Sequence, residues 1–188
     1  MRSEIQKAKE VMQKAANNAR LYHENISRIR RTCKSECILE EIKTYADPLR
    51  QSMIQATQEV DEALGSLATT LKAGIIIRGE DYDSATMAAI SALEPDAAEL
   101  TEIAKRYAGN ETMLRALNQY NIKNKVGAEI PVSGQSKVDA LNMIQSDISY
   151  ILQEAGKVDC RYGSEQLQHI AEHFDTVFSD RIGIIGEQ

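Results

Sequence analysis

Apolar residues near the start of the chain recur at alternating steps of three and four. They are Ile5, Ala8, Met12, Ala15, Ala19, Tyr22, Ile26, Ile29 and Cys33. That spacing is an unbroken heptad seam along one face of a long helix, with Ser3 placed to cap its start. Three of the nine positions are Ala, so a partner helix can approach closely while each contact buries little area. A seam this lean does not hold two isolated helices together. It needs further partners, and it predicts a homo-oligomer formed through Ile5, Ala8, Met12, Ala15, Ala19, Tyr22, Ile26 and Ile29.

The pattern slips at "SECILEEIKTYADP", where Ile38, Ile42 and Tyr45 continue a stripe in a new phase. Asp47-Pro48 reads as an N-cap followed by Pro at the first helical position. Leu49, Met53, Ala56, Val60, Leu64, Leu67 and Leu71 then mark a second amphipathic helix, with Gly74 at a left-handed C-cap position. Residues 3–73 are thus expected to form an antiparallel, coiled-coil-like hairpin bent near 44–48. Its arms would reach about 65 Å and about 39 Å at 1.5 Å per residue. The longer arm's overhang must pack on the remaining chain or on another subunit.

Beyond the hairpin the period stays helical. "GIIIRGEDYD" has strand character, but a lone strand has no partner, so a buried connector is expected. Short helices are expected over 84–93, 96–108 after Pro95, and 111–124 with Asn110 as N-cap. "GAEIPVSGQS" is a loop. A helix opening near Ser136 and ending at Gly156 follows, and a last one is capped by Ser164. The expected fold is all-α: a long N-terminal hairpin, 1–74, and a helical bundle of about five short helices, 75–188.

Composition supports helix and narrows function. The chain is 43% hydrophobic and 27% charged, with ten Gly, three Pro and no Trp. Net charge is −6, divided as +2 over residues 1–73 and −8 over 74–188. The acidic balance argues against nucleic-acid binding, which needs a basic face to replace phosphate counterions. It also makes association between unlike ends of two copies electrostatically favourable. No stretch reaches the roughly 20 apolar residues of a membrane span, and "MRSEIQKAKE" lacks a signal-type apolar region. A cytoplasmic protein with no membrane partner is expected, and Cys33, Cys37 and Cys160 are expected as reduced thiols.

Candidate chemistry is sparse. His169-Ile170-Ala171-Glu172-His173 spells the H-x-x-E-H of one zinc-peptidase class. On a helical wheel, Leu167, Ile170, Ala171, Phe174, Val177 and Phe178 fill one face, and both histidines lie on the polar side. A catalytic zinc needs a third ligand in a cleft, and only Glu187 follows as a glutamate. The pair therefore reads as an exposed i, i+4 pair and not as a metal site. Cys33 and Cys37 share that spacing, but Cys33 occupies a seam position, where a small buried residue is expected. Arg28, Arg30, Arg31 and Lys34 form a basic patch, answered in part by Glu36, Glu40 and Glu41, that can meet an acidic protein partner.

Aligning "ELTEIAKRYAGNETMLRALNQYNIKN" on a helix-turn-helix puts Asn110, Arg115 and Asn118 where that fold wants apolar residues. A plain helical hairpin around Gly109 fits better. No phosphate-binding loop, dinucleotide fingerprint, nucleophile elbow or EF-hand is present. No catalytic residues, cofactor or metal are expected.

Leu100, Ala104, Tyr107, Gly109, Asn110, Thr112, Met113, Leu114, Arg115, Leu117 and Tyr120 spell a pattern that resembles a segment of small helical proteins encoded by tailed phages and prophages. In those proteins a long Glu/Lys-rich hairpin precedes such a helix pair. The resemblance covers about residues 97–124 and brings no catalytic residues with it. It implies a phage-encoded protein of the virion-assembly region, located in the host cytoplasm or the virion. The expected function is a non-enzymatic structural or assembly role through helix-mediated oligomerisation and protein–protein contacts. The alternative is an inhibitor that binds a host defence protein or sequesters a small signalling molecule.

Overall fold

A computed structural model describes residues 2–33, 37–157 and 161–186. Among these the protein is helical throughout, with nine α-helices and no strand. The order is α1 (Arg2–Thr32), α2 (Ile38–Ala73), a 3-10 turn (Gly79–Asp81), α3 (Ser84–Leu93), α4 (Ala97–Arg106), α5 (Glu111–Asn124), α6 (Gly134–Ala155), α7 (Arg161–Glu172), α8 (Phe174–Val177) and α9 (Ser179–Ile185). The all-α class and the N-terminal hairpin are as the periodicity predicts, with α1 and α2 packed on each other.

The bend is not where Asp47-Pro48 placed it. Helix α1 stops at Thr32 and α2 starts at Ile38, so the turn coincides with the phase slip in the stripe. Pro48 sits inside α2. It leaves the Thr44 carbonyl without its helical donor, a defect that typically costs about 3 kcal/mol. Ala46 and Leu49, both buried beside it, keep the helix continuous. The two arms become similar in length, and no long overhang remains.

Other boundaries move for local reasons. The Ile75–Arg78 connector is not buried, since Ile76 and Ile77 are 53% and 54% exposed. Gly74 follows α2 but does not take the left-handed conformation. Ser164 lies inside α7, buried, and does not cap it. Helices α3 and α5 have their expected bounds, and Asn110 caps α5 by accepting from the Met113 amide at 2.9 Å.

The chain forms two compact units that cut across the expected 1–74/75–188 division. One comprises Met1–Ala68 with Ala140–Gln188; the other is Thr69–Asp139. The lean seam explains the first grouping. Its eight positions from Ile5 to Ile29 are only 0–7% exposed within the single chain, because α2 covers one side and the returning α7 another. Asn18 donates to Ser52 of α2 at 2.7 Å, and the His23 ring meets the Ser164 hydroxyl of α7 at 2.7 Å. The further partners that the seam demanded are thus elements of the same chain. The expected oligomerisation seam is corrected to an internal core, leaving these positions no face for a second copy.

Leu64, Leu141, Ile144, Ile148, Leu152, Leu167 and Phe174 are fully buried in this unit. Gly163 marks a close approach of α7 to α6: a Cβ there would stand 2.7 Å from the Glu154 carbonyl carbon. The second unit is built around Ile90, Leu100, Ala104, Met113 and Leu117, with Met87, Ile103, Tyr107 and Tyr120 at the edges.

Candidate functional site

The basic patch read from the sequence divides in three dimensions. Arg30 and Arg31 line a 520 Å³ groove between α1 and α7 with Arg20, His23, Ser164 and Gln168, whereas Arg28 does not. Two positions apart on a helix means roughly 200° of rotation, so Arg28 and Arg30 face opposite ways. Glu24 and Glu165 share the groove, and Glu24 holds Arg20 at 2.5 Å. Lys34 lies outside the described residues.

His169 and His173 are both exposed, their rings 4.9 Å apart, on either side of the point where α7 ends. Among the described residues, no three His, Cys, Asp or Glu side chains are grouped to hold a metal ion. Cys33 is half-exposed and Cys37 exposed, so Cys33 is not the buried seam residue expected. The seam ends at Ile29. Cys160 lies outside the described residues.

The site with the most binding character was not apparent in the sequence. It is a groove of about 1160 Å³ in the first unit, walled by Arg50, Met53, Ile54, Thr57 and Gln58 of α2. The opposite wall is Ser146, Ser149, Tyr150, Leu152, Gln153, Gly156 and Lys157, from α6 and the turn after it. Both walls step by three or four residues, the spacing of one helical face.

Contacts along the groove set the helix directions. Asp61 accepts from Gln145 Nε2 at 2.8 Å and Ser149 Oγ at 3.5 Å, while a Cβ at Gly156 would meet Met53 Cβ at 3.4 Å. Rising numbers on α2 therefore match falling numbers on α6, and the two run antiparallel. Met53 and Leu152 are buried in the floor, whereas Ile54 and Tyr150 remain 49% and 59% exposed on the rims. Antiparallel packing brings Arg50 and Lys157 to the same end of the groove. Asp47 and Glu154 pair with these cations at 3.4 Å and 2.5 Å, i, i+3 contacts of the kind that add little to stability.

A sequence signal for the groove does exist. Ile54 and Tyr150 are large apolar residues standing off the stripes that pack α2 and α6 into the core. A second apolar line beside a helix's core stripe points to a second contact surface.

In the second unit, the main electrostatic feature secures a helix start. Asp83 caps α3, accepting from the Thr86 amide at 2.9 Å and its hydroxyl at 2.7 Å. Tyr107, at the end of α4, donates to the same carboxylate at 2.5 Å. The Tyr107 bond first, and then the Thr86 bonds, lower the Asp83 pKa to about 2, while Asp83 raises that of Tyr107. Each group is occupied by the other, and the network ties α3 to α4.

Comparisons of this chain with protein-family models, curated proteins and solved structures found no match. No described helix is long and apolar enough to cross a membrane.

Proposed function

We propose that this is a non-enzymatic helical protein of the structural or assembly kind, working through protein–protein contacts, and that the α2/α6 groove receives a partner's helix. The groove lining supports this reading: a buried apolar floor, exposed Ile54 and Tyr150 on the rims, and Arg50 and Lys157 at one end. Two parallel rims at helical spacing suit an amphipathic helix, which supplies i, i+3, i+4 and i+7 anchors. The resemblance of Leu100–Tyr120 to phage and prophage segments supports an assembly setting of that type.

The test uses a synthetic amphipathic helix of about fourteen residues, roughly four turns, with a leucine face and glutamate edges. Calorimetric titration into the full chain should give saturable binding, weakened at least about tenfold by Ile54→Glu or Tyr150→Glu, a loss of about 1.4 kcal/mol. Absence of binding, or binding indifferent to both variants, would contradict the proposal. A second reading, capture of a small anionic molecule, draws on Arg50, Lys157 and the hydroxyls of Thr57, Ser146 and Ser149. On that reading Arg50→Gln would matter more than Ile54→Glu.

A further inference from the structure

Two thiols stand at the turn end of the hairpin, one on each arm. The Cys33 amide donates to the Ile29 carbonyl at 2.8 Å, so Cys33 belongs to the last turn of α1. The Cys37 carbonyl accepts from the Glu41 amide at 3.1 Å, so Cys37 opens the first turn of α2. Both thiols are free, Cys33 half-exposed and Cys37 exposed.

The register of the arms brings the two level. Asn18 bonds to Ser52, and farther along Asn25 lines the same hollow as Tyr45. Each step up α1 thus matches one step down α2. Fifteen steps from the Asn18–Ser52 bond lead to Cys33 on one arm and Cys37 on the other. Packed helix axes lie about 8–10 Å apart, with Cα atoms about 2.3 Å off each axis. Level positions on the near sides thus come within the roughly 4.4–6.8 Å that a disulfide spans.

This end is also lightly held, which lets the thiols meet. Within residues 38–47 only Ala46 is buried, and Leu39 is 72% exposed. The side-chain bonds of Thr44 and Asp47 stay within α2. Among the described residues, no side-chain hydrogen bond or ion pair joins this stretch to another element. Pro48 then interrupts the helical ladder behind it.

We infer that Cys33 and Cys37 form a reversible disulfide that locks this end of the hairpin, with a low-molecular-weight disulfide such as oxidised glutathione as the oxidant. One protein thiolate attacks a glutathione sulfur, forming a mixed disulfide and releasing one glutathione thiolate. The other protein thiolate then attacks the protein sulfur of that mixed disulfide and releases the second glutathione. One S–S bond breaks and one forms. Two electrons pass to glutathione, and the two protein thiol protons end on solvent or on the released thiolates. In the reduced chain residues 38–47 open locally about Pro48; in the oxidised chain the cross-link holds them on α1.

The test equilibrates the full chain carrying Cys160→Ser with set ratios of reduced and oxidised glutathione, then alkylates, denatures and digests it with trypsin. Cleavage after Lys34 separates the two cysteines, so a linked pair of peptides reports the disulfide. The linked pair should dominate at oxidising ratios and return to free thiols on reduction, and the wild type should give it in preference to any link with Cys160. Amide exchange over 38–47 should slow at least about tenfold on oxidation, with 49–68 unchanged. Cys37→Ser should abolish both effects. Glutathione left on either thiol with no linked pair would overturn the inference. So would a linked pair that leaves exchange over 38–47 unchanged.

Discussion

The two compact units are held by different means. The first joins the two ends of the sequence, and its core forms only when the helices after residue 140 return to the N-terminal hairpin. The second is one continuous segment, and its helices are delimited largely by neighbours a few residues away. Asp83 caps α3, Asp96 with Glu99 forms a capping box on α4, and Asn110 caps α5. Gly109 at φ 90° and Lys125 at φ 54° turn the chain at the ends of α4 and α5. Non-local packing tolerates irregular helices such as Pro-containing α2, whereas a small unit with a short core list depends on its caps.

The largest expected effect breaks the long-range closure. Phe174 is fully buried and stacks edge-on with Phe178 at 4.9 Å. Phe174→Ala should cost about 3–5 kcal/mol of stability, read by denaturant unfolding. Gly163→Ala comes next. Its new Cβ would strike Glu154 backbone, which cannot swing aside, so a loss of about 1–3 kcal/mol is expected in the same assay.

Asp96→Ala probes the locally built unit and should cost about 1 kcal/mol, with faster amide exchange confined to the start of α4. The smallest effect is set by pH. The Asp83 pKa is lowered from 3.8 to about 2 in the folded protein. Its contribution is therefore complete above the unfolded value and fades as pH falls through the window between them. Acid titration of stability should show that fading in the wild type and lose it in Asp83→Asn. A slope unchanged by the variant would contradict the assignment.

The same contrast decides what the residues revealed in advance. In the second unit α3 and α5 have the expected bounds, and the start of α5 was legible from Asn110, because a cap is a local hydrogen bond between residues that can be read side by side. In the first unit the seam Ile5–Ile29 was legible as a buried line, but nothing local named its partner. The expectation of a second copy gave way to α2 and α7 of the same chain. Pro48 misplaced the bend because Asp-Pro looks the same whether it begins a helix or is carried within one by burial around it. The α2/α6 groove went unseen because reading one stripe per helix assigns Ile54 and Tyr150 to a solvated side. The basic patch divides by rotation, since Arg28 and Arg30 are two positions apart in sequence and on opposite sides of the helix.

The central claim is that the first unit's groove receives a helix. Hydrogen exchange of the full chain with and without the acidic amphipathic probe helix tests it most directly. Slowed exchange is expected in residues 50–58 and 146–157, with 97–124 unchanged and the protection lost in Ile54→Glu. Protection elsewhere, or none in those two segments at saturating probe, would contradict it.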